Sequence, residues 1–187
     1  MSRSFVIECK ARMTQTRKIV FVREPSPDDE NNFLAAMHRS QTLHAPWVKS
    51  PQTPKDYRDY LLRRQQDNQK CYLVIDQDEN ITGIFNLSEI VRGYFQNTYI
   101  GFYAVADYAG KGYMSAGLKL ILQDVFDGLK LHRLEANIQP ENSSSINLVQ
   151  NNGFRKEGYS PHYLMVNDEW RDHERWAITR EDWEINC

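Results

Sequence analysis

Residues 113–130 constrain the fold more than any other part of this sequence. Apolar side chains recur there every three or four residues over about four turns, which predicts an amphipathic α-helix. The positions that form this stripe are Met114, Leu118, Ile121, Leu122, Val125, Phe126 and Leu129. The preceding residues 96–105 are rich in tyrosine, phenylalanine and isoleucine, which is typical of a strand. Together the two segments predict a strand–loop–helix unit.

The rest of the chain mixes strand-like and helix-like patterns, with no internal repeat and no flexible linker. We predict further strands at residues 17–23, 71–76, 81–91, 133–138, 154–165 and 173–178. We predict further helices that end near Ser40 and Asn152, and one at residues 54–68. Neither strict strand–helix alternation nor an all-β pattern fits this order, so we predict an α+β fold. We expect a single domain over residues 1–187, with residues 1–12 as an N-terminal extension of uncertain order.

The composition limits the classes of protein to which the chain can belong. Its 187 residues suffice for one domain with a substantial core, and its net charge of −2 indicates no nucleic-acid or anionic-membrane surface. No apolar run approaches the roughly 20 residues that span a bilayer, and the first residues lack the apolar core of a secretory signal. We therefore expect a cytoplasmic protein that binds neither nucleic acid directly nor a membrane.

The cysteines and histidines give no sign of a metal or disulfide framework. Cys9, Cys71 and Cys187 are odd in number and widely spaced, so we expect reduced thiols. Cys71 begins an apolar run, where a thiol usually fills the core, and a nucleophilic role is the alternative. His162 and His173 have no partners at metal-ligand spacing. We expect no metal.

The loop Gly110-Lys111-Gly112 lies between the predicted strand and the long helix. Backbone N–H groups at a helix N-terminus, with the helix dipole behind them, bind phosphate. Two glycines let the main chain approach an anion without an obstructing Cβ. The loop is too short for a P-loop and lacks the third glycine of a dinucleotide-binding fingerprint. It predicts a phosphate site, and a tight turn without a ligand is the alternative.

This loop stands within a wider pattern that runs from about Arg12 to Trp183. The segments that share it are residues 12–17, Pro46-Trp47, residues 108–114, the set Asn142, Ser145 and Gly153-Phe154, and residues 168–173. The combination resembles the GNAT acetyltransferase superfamily, and within it the ribosomal-protein-alanine N-acetyltransferase branch. The resemblance implies a mixed, mainly antiparallel central sheet flanked by helices, with one central strand pair splayed apart.

The cosubstrate that the resemblance implies is acetyl-CoA. The main-chain amides from Gly110 through Lys111, Gly112 and Tyr113 to Met114 would hold its pyrophosphate. Ala104 and Ala106 would contact the pantetheine arm through their backbone, and an N–H at the same opening would face the oxyanion. Asn142 would contact the cofactor arm, cap the short helix, or do both. Lys111 would add charge to the phosphate site or stay solvated.

The sequence departs from the family pattern at three positions. Ala109 stands where the family has glutamine or arginine, and Met114 stands where it has a small residue. Val149 occupies the position of the tyrosine that serves many members as general acid. In the related branch a serine can replace that tyrosine, and Ser145 matches it. We expect Ser145 to protonate or hydrogen-bond the leaving sulfur, or else to satisfy backbone groups in the first helical turn.

The general base and the acceptor are less determined by sequence. Glu89, at the end of a central strand, is the favoured base, with Glu135 or an ordered water as alternatives. Trp47 is a candidate substrate contact in a segment that walls the acceptor site in the family, or else a core anchor. The acceptor we expect is the N-terminal α-amine of a protein, with a ribosomal protein as one candidate. The alternatives are a small amine, such as an amino acid, polyamine or aminoglycoside, and a CoA-binding regulatory module without catalysis.

Overall fold

The computed structural model describes residues 19–186 of the protein. The predicted extension at residues 1–12, the start of the first predicted strand, and the family-like residues 12–17 lie outside this range, as do Cys9 and Cys187. The strands are β1 (Val20–Arg23), β2 (Lys70–Asp76), β3 (Ile81–Val91), β4 (Asn97–Ala104), β5 (Arg133–Ile138), β6 (Arg155–Val166) and β7 (Glu169–Thr179). The α-helices are α1 (Glu30–Arg39), α2 (Gln41–His44), α3 (Pro54–Arg63), α4 (Tyr113–Gln123), α5 (Ser143–Gln150) and α6 (Arg180–Asn186).

Within residues 19–186, seven strands form one sheet in the order β1-β2-β3-β4-β5-β7-β6. Only the β4–β5 pair is parallel, and every other neighbouring pair is antiparallel. Helices cover both faces, because two separate clusters of buried apolar side chains lie on opposite sides of the sheet. The α+β, mainly antiparallel fold expected from the sequence is confirmed.

The central strands β4 and β5 are splayed. They pair only from Asn97 with Arg133 to Tyr99 with Glu135, after which β4 continues to Ala104 and β5 to Ile138 without pairing to each other. The open end of this gap faces the loop before α4 and the first turn of α5. The sheet therefore offers main-chain groups to a ligand at its centre.

Several predicted boundaries were wrong in their extent. The helix predicted to residue 130 ends as an α-helix at Gln123 and continues as a wider π-helical turn, Asp124–Gly128. The helix predicted over residues 54–68 ends at Arg63. Helices α2 and α6 were not predicted, because α2 is a single turn and α6 follows the last strand directly. Short helices carry too few turns to show an apolar period.

Helix α4 approaches the sheet closely at Gly117. A Cβ built on Gly117 would come within 2.7 Å of Val74 Cγ2 and 3.2 Å of Phe85 Cε2. Val74 and Phe85 are both fully buried, so neither can yield into solvent. The absence of a side chain at this position lets α4, and with it the loop that precedes it, sit against β2 and β3.

We expect Gly117→Ala to destabilise the protein although alanine is the better helix former. Overpacking of a core costs about 1–3 kcal/mol, which exceeds the roughly 1 kcal/mol gained in helix propensity. The matched control is Gly101→Ala in β4, where a Cβ would meet nothing within 4 Å and should add about 0.4–1 kcal/mol of stability. Urea unfolding of both variants checks the pair. Equal stability of Gly117→Ala and the parent protein would contradict the close packing.

Candidate active site

A cavity of about 550 Å³ opens at the splayed end of β4. Its walls come from four elements: the end of β4, the loop and first turn of α4, the first turns of α5, and the segment around α2. The residues that line it are Leu43, His44, Trp47, Val48, Phe102, Tyr103, Ala104, Tyr108, Ala109, Gly110, Gly112, Met114, Ser115, Glu141, Asn142, Ser143, Ser144, Ser145, Asn147, Leu148 and Asn151. Three segments that are far apart in sequence, residues 43–48, 102–115 and 141–151, thus meet around one space.

Both glycines of the loop before α4 adopt left-handed backbone conformations. Gly110 has φ 71°, and Gly112, the N-cap of α4, has φ 86° and ψ −4°. Such angles are strained for residues with a side chain. The first helical hydrogen bond in this turn runs from Ala116 N to Gly112 O at 3.1 Å. The N–H groups of the helix start therefore have no carbonyl of the helix to donate to.

Three of the five residues expected to bind pyrophosphate line the cavity: Gly110, Gly112 and Met114. Lys111 and Tyr113 do not line it. The Tyr113 ring instead packs edge-on against Tyr108, with centroids 5.1 Å apart. The loop thus faces the cavity through its glycines and its helix start.

Met114 is accommodated by a glycine on the neighbouring strand β3. A Cβ built on Gly83 would come within 2.1 Å of the Met114 sulfur. The methionine side chain therefore lies over Gly83 and occupies the room that a side chain there would fill. This pairing of a large residue with a glycine 31 positions earlier has no signal in the local sequence.

The edge of β4 that faces away from β3 borders the gap between β4 and β5. Val105 N donates to Thr82 O at 3.0 Å, toward β3. Main-chain groups alternate in direction along an antiparallel strand, so Phe102 and Ala104 turn theirs toward the gap. The Ala104 carbonyl accepts from His44 Nε2 at 2.7 Å, and Ala106 N donates to the Ser40 hydroxyl at 2.9 Å.

Two groups expected to pair with a pantetheine arm therefore already have protein partners, the Ala104 carbonyl and the Ala106 amide. Ala106 lies in a short 3₁₀ turn after β4 and does not line the cavity, whereas Ala104 does. The main-chain groups of β4 that can still pair with a ligand are therefore those of Phe102 and the N–H of Ala104.

His44 is a site residue to which the sequence assigned no role of its own. It is 3% exposed and lies at the end of α2, with Nδ1 3.2 Å from the Ser50 hydroxyl. Burial lowers the pKa of His44 below its usual value, against the opposing effect of the bond to Ala104. A neutral imidazole can donate from Nε2 to the carbonyl while Nδ1 accepts from Ser50. The ring also packs edge-on against Tyr103.

Asn142 and Ser145 lie together at the start of α5. Asn142 is the N-cap, and its side chain accepts from Ser145 N at 3.1 Å. Both residues also line the cavity. Among the described residues the Ser145 hydroxyl has no hydrogen-bond partner, so it is available to a ligand. Val149 is fully buried in the core, so its position on α5 does not face the cavity.

The structure does not bring the two candidate bases to the cavity. Glu89 is exposed, in a bulge at the far end of β3, where the pairing with the start of β4 is irregular. Glu135 forms an ion pair with Arg133 Nε at 2.9 Å, beside the last paired rung of β4 and β5. Neither residue lines the cavity, while Trp47 does. An ordered water remains the candidate base from the sequence.

The described part of the chain contains no group of three or more histidine, cysteine or carboxylate side chains arranged to hold a metal ion. Cys71 is buried, and its burial raises the pKa of the thiol, which is the opposite of what a nucleophile needs. Within residues 19–186 no helix has the length and apolar character required to cross a bilayer.

Comparison with known proteins matches residues 20–155 to the acetyltransferase (GNAT) domain family. The chain is 38% identical over 111 residues to the ribosomal protein uS5-alanine N-acetyltransferase of Escherichia coli, a segment that covers 59% of this chain and 57% of the relative. It is 22% identical over 148 residues to the spermidine N(1)-acetyltransferase of Vibrio cholerae serotype O1, covering 78% of this chain and 85% of the relative.

The fold is also similar to a solved structure of Mycobacterium smegmatis RimJ in complex with CoA-disulfide. The TM-score is 0.78 at 25% sequence identity, over 88% of this chain and 83% of that one. The family match covers most of the described chain, and the splayed strands, the glycine loop and the helix start occur in the arrangement that the family resemblance implied. The chain belongs to the GNAT acetyltransferase family and is an acetyl-transferring enzyme.

Proposed function

We propose that this enzyme transfers the acetyl group of acetyl-CoA to the N-terminal α-amine of a protein, with ribosomal proteins as the first candidates. The observation that carries the proposal is a single cavity that joins an anion-binding helix start to the open edge of β4 and to the α2 segment. The diphosphate of the donor fits the helix start, its pantetheine arm fits the open edge of β4, and the acceptor fits the α2 segment.

The reaction proceeds in a ternary complex by direct attack of the amine on the thioester carbonyl. Attack builds negative charge on the carbonyl oxygen, and the Ala104 N–H at the open edge of β4 is the donor that would stabilise it. As the tetrahedral intermediate collapses, the carbon–sulfur bond breaks and the Ser145 hydroxyl donates to the departing thiolate. The amine loses its proton to water in the cavity.

An α-amine suits a site without a carboxylate base. Its ordinary pKa of about 7.7–8.0 leaves a useful neutral fraction at pH 7, whereas a lysine amine near 10.4 is almost wholly protonated. Among the described residues that line the cavity, Glu141 is the only carboxylate. Positioning then supplies much of the rate.

The acceptor side of the cavity supports a peptide over a polyamine. Leu43, Trp47 and Val48 give this wall an apolar character, which suits the first side chains of a peptide. A polyamine carries several positive charges that need carboxylate partners. The carboxylate of Glu141 is exposed and lies on the opposite wall, near α5. The similarity to the uS5-alanine enzyme favours the same acceptor class.

An acceptor panel tests the proposal. Peptides with a free N-terminal alanine or serine are expected to give at least about tenfold higher kcat/KM than spermidine, a difference of roughly 1.4 kcal/mol. Peptides whose N-terminus is blocked by formylation, and whose only amine is that of an internal lysine, should not be acetylated. With the free peptides, kcat/KM should rise from pH 6.5 to about 8 as the α-amine loses its proton.

Two outcomes would replace the proposal by one of its alternatives. A small amine that outperforms every peptide would make this a small-amine acetyltransferase. Binding of acetyl-CoA without transfer to any acceptor, and without hydrolysis, would indicate a regulatory CoA-binding module.

A further inference from the structure

Two side chains one helical turn apart, those of Ser40, the N-cap of α2, and His44, the last residue of α2, hydrogen-bond to the main chain at the end of β4. We propose that this clamp, Ser40 and His44, positions the N–H of Ala104 as the hydrogen-bond donor to the thioester oxygen, which makes His44 a positioning residue for acetyl transfer. The inference rests on the proposed function, because it assigns the oxyanion site to the open edge of β4.

Both side chains of the clamp are buried and doubly hydrogen-bonded. The Ser40 hydroxyl, fully buried, donates to Ala36 O at 2.7 Å and accepts from Ala106 N at 2.9 Å. The His44 ring contacts the Ala104 carbonyl through Nε2 and the Ser50 hydroxyl through Nδ1. A buried polar group with every hydrogen bond made is held in one orientation, because losing a partner leaves it unsatisfied.

The clamp fixes the main chain of β4 where its support from β5 has ended. On one edge Val105 is tied to β3 through Thr82. On the other edge β4 is no longer paired with β5 beyond Tyr99, and His44 and Ser40 instead bond to the Ala104 carbonyl and the Ala106 amide. In an extended strand the N–H and C=O of one residue point to the same edge, so fixing the Ala104 carbonyl also fixes the direction of its N–H. A donor fixed before reaction need not reorganise as charge develops.

The same helix leads directly into the acceptor wall. The main-chain amides of Trp47 and Val48 donate to the His44 carbonyl at 2.8 and 3.0 Å. His44 therefore links the residues that face the acceptor to the strand edge that faces the thioester. A change at its side chain should disturb catalysis more than it disturbs binding of the donor, whose diphosphate lies at α4.

The test compares His44→Phe, His44→Gln and His38→Phe in the full-length protein. Phenylalanine retains an aromatic ring but has neither of the two ring nitrogens, whereas the amide nitrogen of glutamine can reach the position of Nε2. His38 is a matched control, because its Nε2 also lies 2.7 Å from a main-chain carbonyl, that of Gln52, but at an exposed site away from the cavity. The measurements are kcat, KM for acetyl-CoA, thermal stability, and the infrared band of the carbonyl of bound, ¹³C-labelled acetyl-CoA.

We expect His44→Phe to lower kcat roughly 10- to 100-fold with little change in KM for acetyl-CoA, as for a misplacement of a reacting group by about 1 Å. His44→Gln should recover most of this loss, and His38→Phe should match the parent protein. The carbonyl band of bound acetyl-CoA should shift toward that of free acetyl-CoA in His44→Phe only.

The proposal is overturned if His44→Phe and His38→Phe give the same kcat and the same carbonyl band. It is also overturned if His44→Gln is as impaired as His44→Phe, or if the whole effect of His44→Phe lies in KM or in the folded fraction. Absence of transfer by the parent protein would instead refute the proposed function, and the carbonyl band would still decide whether the clamp acts on the thioester.

Discussion

Gly112→Val is expected to weaken binding of coenzyme A by roughly 100-fold or more, about 2.7 kcal/mol. Gly112 has φ 86° at the N-cap of α4, and a β-branched residue at such an angle is a rare outlier. The loop must then change conformation, and the N–H groups of the helix start no longer converge on one anion. Calorimetric titration with coenzyme A measures the loss.

Gly93→Val separates this effect from a general loss of stability. Gly93 also has a left-handed backbone, φ 74°, and a Cβ there would meet nothing within 4 Å, as at Gly112. It lies in the turn between β3 and β4, away from the cavity. Both variants should lose about 1–3 kcal/mol of folding stability through backbone strain. Equal affinity of the two variants for coenzyme A would show that the loop does not hold the diphosphate.

Ser145→Ala is expected to lower kcat by about 10²- to 10⁴-fold, the range typical of a general acid. The Ser145 hydroxyl lines the cavity, and among the described residues no group of the protein hydrogen-bonds to it. The cap of α5 survives the change, because Asn142 bonds to the main-chain N–H of residue 145 and not to its side chain. Stability and affinity for coenzyme A should therefore stay near those of the parent protein.

Ser144→Ala is the matched control for Ser145→Ala. It makes the same substitution in the same helical turn, at a residue that also lines the cavity but is exposed. Its turnover with acetyl-CoA and a peptide acceptor should remain within about threefold of the parent value. Turnover of Ser145→Ala that is undiminished at saturating substrate would remove this serine from the mechanism.

The parts of the fold that local sequence encodes could be predicted, and the parts set by distant contacts could not. The apolar stripe of α4 depends on residues three and four apart, so its period was visible. Its last turn is π-helical around Asp124, whose carboxylate accepts from the Tyr72 hydroxyl and from Lys70 at 3.3 Å. These partners lie more than fifty residues away, so no pattern in residues 113–130 could reveal where the α-helix ends.

The candidate site also contains some residues that local sequence motifs reveal and others that depend on distant contacts. The glycine loop and the start of α5 are contiguous motifs, and the structure places Gly110, Gly112, Asn142 and Ser145 on one cavity. The hydrogen bond from His44 to Ala104 spans 60 residues, so it depends on where β4 loses its pairing to β5. Strand ends alone could not show that Glu89 lies at the opposite end of β3 from the cavity.

Binding of the donor diphosphate at the start of α4 is tested most directly by NMR titrations of the ¹⁵N-labelled protein with coenzyme A and with pantetheine, which lacks the diphosphate. We expect coenzyme A to shift the amide resonances of Gly112, Met114 and Ser115, because these residues lie at the start of α4 and line the cavity. Pantetheine should leave them unchanged. No shift of these amides at saturating coenzyme A, or equal shifts with both compounds, would contradict a diphosphate bound at the start of α4.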